Sequence, residues 1–443
     1  MGRSPIVREM KQKFLPYLAF ILFFNVSSLT YPPLAGAAVQ NLTVYTDGEA
    51  PSKLAMTALV TAFHKANLNS HISLTVGPVG VAGVENIKAK LNAGTMADVF
   101  TNSVGSLFQA LHPSRNLVDL TGEQWHSSVV TSFFKSVSVG PVIYGAPFGS
   151  AMGGGILYNK AIYRKLSLKI PLSWREFMAN NAKIRAAGIT PVIQTYADSW
   201  TAQLLILADG FNLLTSSPNF ATLLTANRVQ IATTPAAVLG FKHLEEIHRK
   251  GYQNSDYKSA TLSKGIEYLA KGKGAHYPML SFVDTELNER FPVLAKNVGI
   301  FAQPGLSKNS NGLTVWMPNG LFIPKSSKHI ELAKRFIAFS VSTKGLEVMR
   351  KAVRPSGPYM IIGANLDGSE STITKEMLKY FESNGQTGPA LEFLTIVKGP
   401  NLSEIAVRVG SGKISAILGA ITYDADIRAE SRRLGLPGWG KLG

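Results

Sequence analysis

The sequence predicts an α/β protein built from two successive blocks of sheet flanked by helices. Three observations carry this. Short β-rich runs alternate with helical patterns from Leu42 to Thr101. The same alternation restarts near Tyr144. No repeat of fixed period and no low-complexity linker interrupts the chain. At ~100–200 residues per domain, 443 residues suit two or three domains, or one domain split into lobes.

The elements follow in order. Residues 1–37 read as a signal peptide. Arg3, Arg8, Lys11 and Lys13 form a basic start, Phe14–Phe24 is apolar, and Ala35-Gly36-Ala37 has the small-x-small form of a cleavage site. An uncleaved anchor is the competing reading. The apolar stretch is shorter than the ~20 residues a span needs, and Pro16, Pro32 and Pro33 interrupt it. Cleavage after Ala37 is expected. It removes four basic residues and one acidic one, so the net charge falls from +17 to +14.

Leu42–Tyr45 is the first strand. Met56, Leu59, Val60, Phe63 and Ala66 then line one face of a helix. Ile72–Val76 is the second strand, a helix around Glu85–Leu91 is stopped by Gly94, and Asp98–Thr101 is the third strand. In the second block Ile156–Tyr158 is a strand. Ser173-Trp174-Arg175-Glu176 fits a capping box that opens a helix. Trp174, Phe177, Met178 and Ile184 are that helix's apolar side, Gly188 ends it, and Pro191–Thr195 is the next strand. Leu332, Phe336 and Phe339 stripe a later helix whose end Gly345 marks.

The composition excludes several chemistries. With 45% apolar and 16% charged residues the chain is not disordered. Cysteine is absent, which rules out disulfides, thiolate zinc, a cysteine nucleophile and an acylated N-terminal cysteine. The 45 basic residues against 28 acidic ones are scattered, without the aromatic interleaving of a nucleic-acid site. The densest cluster, Arg428, Arg432 and Arg433, falls in a predicted C-terminal helix. Gly410-Ser411-Gly412-Lys413 fails as a phosphate loop at Val407 and Ile414. His243 and His248 are five apart, about 140° round a helix, and so do not share the face a zinc site needs; both are expected to be exposed. No G-x-S-x-G elbow is present. Gly153-Gly154-Gly155 could cradle an anion, but such runs more often mark a hinge or close backbone approach. No metal, cofactor or catalytic set is expected.

At this point the residues resemble a family. Gly155-Ile-Leu-Tyr158-Asn159-Lys160, Pro171-Leu-Ser-Trp174-Arg-Glu176-Phe177 and Ala187-Gly188-Ile-Thr-Pro191 resemble the "YNK … P-x-T-W-x-E-F … A-A-G-I-T-P" stretch of extracellular solute-binding proteins of carbohydrate-type ABC importers. These are the family 1 solute-binding proteins, distantly related to maltose-binding protein. Ala62–Asn67, Asn92–Val99 and Ile330–Phe339 resemble further family segments, in correct order over roughly residues 41–345. The sequence departs at Asn67-Leu68, at Met96-Ala97, and at Ser281-Phe282-Val283, where the family often has Gly-x-Trp.

The resemblance implies a two-lobed periplasmic-binding-protein-like fold of type II, each lobe a mainly parallel sheet, with a ligand cleft between them. It implies lobe 1 at 38–147 plus 302–342 and lobe 2 at 148–301 plus 343–443, with hinge crossings near Ala146–Ser150, Gly299–Pro304 and Ser340–Gly345. It implies a non-enzymatic, monomeric receptor in the periplasm or at the cell surface. Such a receptor binds a sugar and hands it to membrane permease subunits.

Sugar sites need flat aromatic faces and polar groups aimed at hydroxyls. Candidates stand at expected strand ends: Tyr45, Asp47 and Glu49; Asn102 and Ser103; Phe148 and Ser150; Trp200; Phe282 and Asp284; and Trp316. Each has a structural alternative: turn or cap chemistry for Asp47 and Asn102, core packing for Phe148 and Trp200. Asp98, Trp125 and Trp174 are read as structural, and Trp439 is left unassigned. Two other functions remain open at this point. One is a secreted carbohydrate-active enzyme, although a glycosidase needs two carboxylates ~5–10 Å apart from separate elements. The other is a receptor of the same fold for a cationic solute, which Asp47, Glu49 and Asp284 would suit.

Overall fold

The computed structural model describes residues 40–308, 311–364, 366, 368, 370–383 and 386–440. The signal-peptide segment lies outside them. Thirteen strands are described: β1 Gln40–Thr46, β2 Ser70–Val76, β3 Val99–Asn102, β4 Ser138–Val139, β5 Val142–Ile143, β6 Gly145–Phe148, β7 Met152–Asn159, β8 Thr190–Val192, β9 Gly274–Leu280, β10 Val298–Ala302, β11 Leu313–Trp316, β12 Asn319–Phe322 and β13 Thr387–Pro389. They form two main sheets and the small β4–β5 ribbon.

The first sheet has the order β2-β1-β3-β12-β6. The helix Ala50–Ala66 buries Met56, Leu59 and Phe63 in its core, where Phe63 meets Phe336 edge-on at 5.2 Å. Gly94 takes φ +67 just beyond the helix Gly80–Asn92, a conformation that suits glycine. Asp98 is structural: its carboxylate accepts bonds from the Thr43 amide and hydroxyl and from the Ser327 hydroxyl.

The second sheet runs β13-β11-β7-β9-β8, with β10 also paired to β7. Gly153, Gly154 and Gly155 lie inside β7, and the close-approach reading of this run fits. A Cβ on Gly154 would strike the Trp316 ring, and one on Gly155 would sit 2.5 Å from the Phe301 carbonyl oxygen. Ser173 caps the helix Trp174–Ala186 by accepting the Glu176 amide at 3.4 Å. The Glu176 carboxylate reaches one residue further back than a capping box requires, to the Leu172 amide at 3.0 Å. Trp125, Trp174 and Trp439 are all buried, and the Trp439 indole donates to the Thr225 carbonyl.

Several expectations are corrected. Both sheets are mixed rather than mainly parallel, because β12 pairs antiparallel with β3 and β6, and β7 pairs antiparallel with β9, β10 and β11. The chain leaves the first sheet at Gly149–Ala151, close to the expected first crossing. The second crossing is not at Gly299–Pro304: β10 is hydrogen-bonded into the second sheet, and the chain returns between β11 and β12 through Met317-Pro318. Nor does it cross at Ser340–Gly345. The helix Thr343–Ala352 packs Leu346 and Met349 into the core of the first block. Gly345 ends no helix; it sits in the first turn of this one, where Ser342 accepts its amide at 3.1 Å. The chain then passes to the helix Thr372–Glu382, which covers β10 by bonding the Ile300 and Ala302 amides to Glu376 and Tyr380. His243 is also not exposed. It is buried and stacked on Trp174 at 3.7 Å. His248 is half-buried and bonds Gln253 at 3.0 Å.

Candidate functional site

Where the two blocks meet, the ends of β1, β3, β6 and β12 face the turns that follow β8 and β9. Tyr45 is buried in β1, and its hydroxyl donates to Asn86 Oδ1 at 3.2 Å. Asp47 lies just beyond β1. Its carboxylate accepts the Glu49 amide at 3.0 Å and the Asn319 side-chain amide at 3.3 Å. Asn319 also accepts from Ser103 at 3.4 Å, so one side chain ties the ends of β1 and β3 together. Asn102 is buried and donates to the carbonyl of Ser103 at 2.7 Å.

On the other side Trp200 lies in a short 3₁₀ turn, Ser199–Gln203. Its ring leans toward Phe282, 6.1 Å between centroids and 31° between planes. A Cβ on Gly80 of the first block would sit 3.1 Å from Trp200. The aromatic pair therefore reaches across to the start of the helix Gly80–Asn92. Phe148, Ser150 and Phe282 line a cavity of about 70 Å³, together with Pro51, Met152 and Arg354. That is well below the ~300 Å³ of a typical small-molecule pocket. This part of the slit is thus nearly closed in the structure.

Two candidates stand further in. Asp284 is buried at the start of the helix Asp284–Arg290, where Asn288 donates to its carboxylate at 2.8 Å. Trp316 is buried over Gly154, and its indole donates to Glu392 at 2.6 Å. Both are engaged within the second block.

The electrostatics of the slit are acidic. Burial, then the neighbouring Asp47, Glu286 and Asp198, push the Glu49 carboxyl up to about 7. Burial raises Asp47 as well, partly offset by its hydrogen bonds. Burial also raises the Tyr45 phenol, with a smaller contribution from Asp47. Asp284 is raised to about 6 by burial, against the bonds from Ser371 and Asn288. The arrangement offers flat apolar faces on one side and hydrogen-bond acceptors on the other. Among the described residues no group of three or more His, Asp or Glu side chains could hold a metal ion.

Sequence reasoning did not single out Asn319, Glu286, Arg354 or Gly80. Asn319 could have been found from Pro318, which ends one strand run just before it. Nothing local marks Arg354. A larger cavity, about 720 Å³, opens where β10 and β11 part along β7, between Tyr158, Phe211, Phe301, Glu376 and Tyr380. It is lined from the second block alone, at the end of β7 away from the crossing. It is therefore a less fitting place for a hinged receptor to hold its ligand.

Two α/β blocks, joined by three chain crossings around an aromatic and carboxylate slit, define the class of two-lobed receptors. The particular family follows. The family model for bacterial extracellular solute-binding proteins matches residues 47–347, and this chain belongs to that family. The chain is similar to a multiple sugar-binding protein of Streptococcus mutans, 23% identical over 299 residues, 65% of this chain and 68% of that protein. It is also similar to an ABC transporter extracellular-binding protein of Pyrococcus horikoshii, 25% identical over 46% of this chain and 47% of that one. Among solved structures it superposes on a chitin oligosaccharide binding protein with a TM-score of 0.76 at 20% identity, over 89% of this chain and 99% of that one. It superposes on a solute-binding protein in complex with raffinose with a TM-score of 0.71 at 20% identity, over 87% and 99%. These likenesses establish the two-lobed fold. No helix among the described residues is long and apolar enough to cross a membrane.

Proposed function

We propose that this protein is the extracytoplasmic sugar receptor of an ABC importer, exported by cleavage after Ala37. Its lobes are residues 40–148 plus 319–352 and residues 152–316 plus 372–440. They close as rigid bodies over an intact mono- or oligosaccharide, and the closed monomer delivers it to the permease. One observation carries the reading. Trp200, paired with Phe282 in one lobe, reaches Gly80 of the other, and Glu49 of that other lobe is in electrostatic reach of Asp198 and Glu286, which stand close in sequence to the two rings. Flat rings suit the apolar face of a pyranose, and carboxylates accept hydroxyl hydrogens. Tyr45, Asn102, Ser103, Phe148 and Ser150 complete the polar and apolar lining. Asp284 and Trp316 support it from behind.

Titration calorimetry against a panel of sugars, with mass spectrometry of the mixture, tests this. Binding without turnover is expected, and Trp200→Ala should weaken it by roughly tenfold while leaving the apo melting temperature nearly unchanged. Product formation, or a Trp200→Ala variant of unaltered affinity, would overturn it. The carboxylates Asp47, Glu49, Asp198 and Glu286 around one slit favour a second reading, a cationic solute. Tight binding of a polyamine in the same panel, with no response to sugars, would select it.

A further inference from the structure

The helix Ala416–Arg433 closes the second block. It buries Ala416, Ala420, Tyr423 and Ile427 against the core. Its opposite face is unusual for a surface. Ile417, Leu418 and Ile421 are 44%, 47% and 51% exposed. At 100° per residue, an arc of about 120° carries Ile417, Arg428, Ile421, Arg432, Ala425, Leu418 and Ala429. Every one of these side chains is exposed, and no carboxylate lies on the arc. The helix's three acids are all engaged elsewhere. Asp424 is buried and accepts the Ile231 and Ala232 amides. Asp426 accepts from Asn401. Glu430 pairs with Arg433 at 2.6 Å. Exposed Lys413 stands three residues before the first turn.

We propose that this arc is a docking face for an anionic lipid bilayer surface. Bulky aliphatic groups set among guanidinium groups, with carboxylates kept off the face, are the chemistry of a helix that lies in the headgroup region. Net charge points the same way, at +14 once residues 1–37 are removed. The chain also has no cysteine to carry a thioether-linked lipid. Basic groups without carboxylates on the arc complement a sheet of phosphates. None of the arc's residues lines the small cavity of the slit, so this inference holds whichever solute the slit takes; the helix's last turn does approach the first block, where Arg433 is in electrostatic reach of Glu85.

The absence of cysteine makes the test direct. Ile421→Cys in the full chain, labelled with an environment-sensitive fluorophore, should blue-shift on adding vesicles rich in phosphatidylglycerol. It should not respond to pure phosphatidylcholine, and salt should reverse the shift. Thr57→Cys, exposed on the first block, should stay silent, which separates this face from any other part of the chain that meets lipid. Lys413→Gln with Arg428→Gln should raise the half-saturating lipid concentration more than tenfold, at about fivefold per charge. Sugar titrations of these variants should be unchanged. No shift at position 421 with phosphatidylglycerol vesicles, an equal shift at position 57, or a shift only with membranes containing the permease would each overturn the proposal.

Discussion

The two lobes differ most in how they treat the ionisable groups they bury. In the first, Asp98 would be pushed up by burial, but the bonds from Ser327, Thr43 and His329 outweigh it and hold the carboxyl below its ordinary range. The second buries Asp209, His243 and His276 without an opposite charge. Burial lifts Asp209 to about 7, against the bonds from Asn212 and Gln303. It drops His243 and His276 to about 3. His276 has only neutral partners, Tyr163 at 2.8 Å and Asn181 at 2.9 Å, and neither ring nitrogen of His243 has a partner. The donors around Asp98 are enough to keep it ionised, whereas the two around fully buried Asp209 are not, and the histidines without a countercharge go neutral. The lesson is that the second lobe holds opposing groups whose balance pH and a single substitution can tip.

The largest expected effect tests this directly. A histidine with a lowered pKa contributes stability above its unfolded value near 6.5, lost as the pH falls towards 3. A carboxyl raised as Asp209 is contributes stability below about 3.8, lost as the pH rises through 7. Between about 6 and 3.8 two histidines oppose two aspartates, Asp209 and Asp284, the latter raised to about 6, so the contributions nearly cancel. Asp209→Asn removes one of the opposing carboxyls, and the second lobe of that variant should lose about 1.4 kcal/mol per pH unit on acidification, where the unaltered lobe stays nearly level. The first lobe should hold until about pH 4, where Asp98 begins to lose its contribution. Hydrogen exchange resolved by peptide reads both lobes together. Simultaneous loss of protection in β1 and β9 would erase the distinction.

Packing offers the next contrast. Gly154→Val drives two methyl groups into the Trp316 ring inside a central strand, and should cost about 3 kcal/mol. Gly122→Ala in the first lobe meets nothing within 4 Å and bears only a strained φ of +82, costing about 1 kcal/mol. Urea melts of the two variants give the comparison. Equal midpoints would mean that β7 moves aside.

Where the lobes touch, the sign reverses. Glu49 is raised to about 7 by burial and by Asp47, Glu286 and Asp198. The closed form therefore binds a proton that an open, solvated Glu49 releases above about 4.5. Closure is favoured below that range and opposed as the pH climbs through 7, by ~1–2 kcal/mol once solvent screening in the slit is allowed for. X-ray scattering of the unliganded protein should show it expanding between pH 5 and 8. Glu49→Gln should flatten that response, and an unchanged profile would detach Glu49 from closure.

How far the sequence reached is clear from particular residues. β1 to β3 and the Ser173 cap were legible because each depends on neighbours within about four positions. The second crossing was not. It depends on β11 joining β7 while β12, two residues on, joins β3 and β6. The burial of His243 is not legible locally, because spacing says nothing of Trp174, which comes from another helix to cover it. In the slit, the sequence shows Asp47 as an acidic and Trp200 as an aromatic residue beyond strand runs, but not what faces either. The bond from Asn319 to Asp47 spans 272 positions, and no local pattern encodes it.

The smallest contrast lies in two helix caps. Ser173 of the second lobe accepts one amide, at 3.4 Å. The backbone there is also fixed by the Trp174 amide bonding to Gly305 at 2.7 Å. Ser342 of the first lobe accepts the Gly345 amide at 3.1 Å and donates its own proton to Phe339 at 2.7 Å. It thereby clamps the end of one helix to the start of the next. Removing a serine cap costs ~0.5–2 kcal/mol. Ser173→Ala should fall near the low end, because the Gly305 bond holds the entry angle without it. Ser342→Ala should cost about 1 kcal/mol or more, because it frees two helices at once. Chemical denaturation at neutral pH ranks them. Should Ser173→Ala prove the more damaging, the Gly305 bond would not be what holds that helix start.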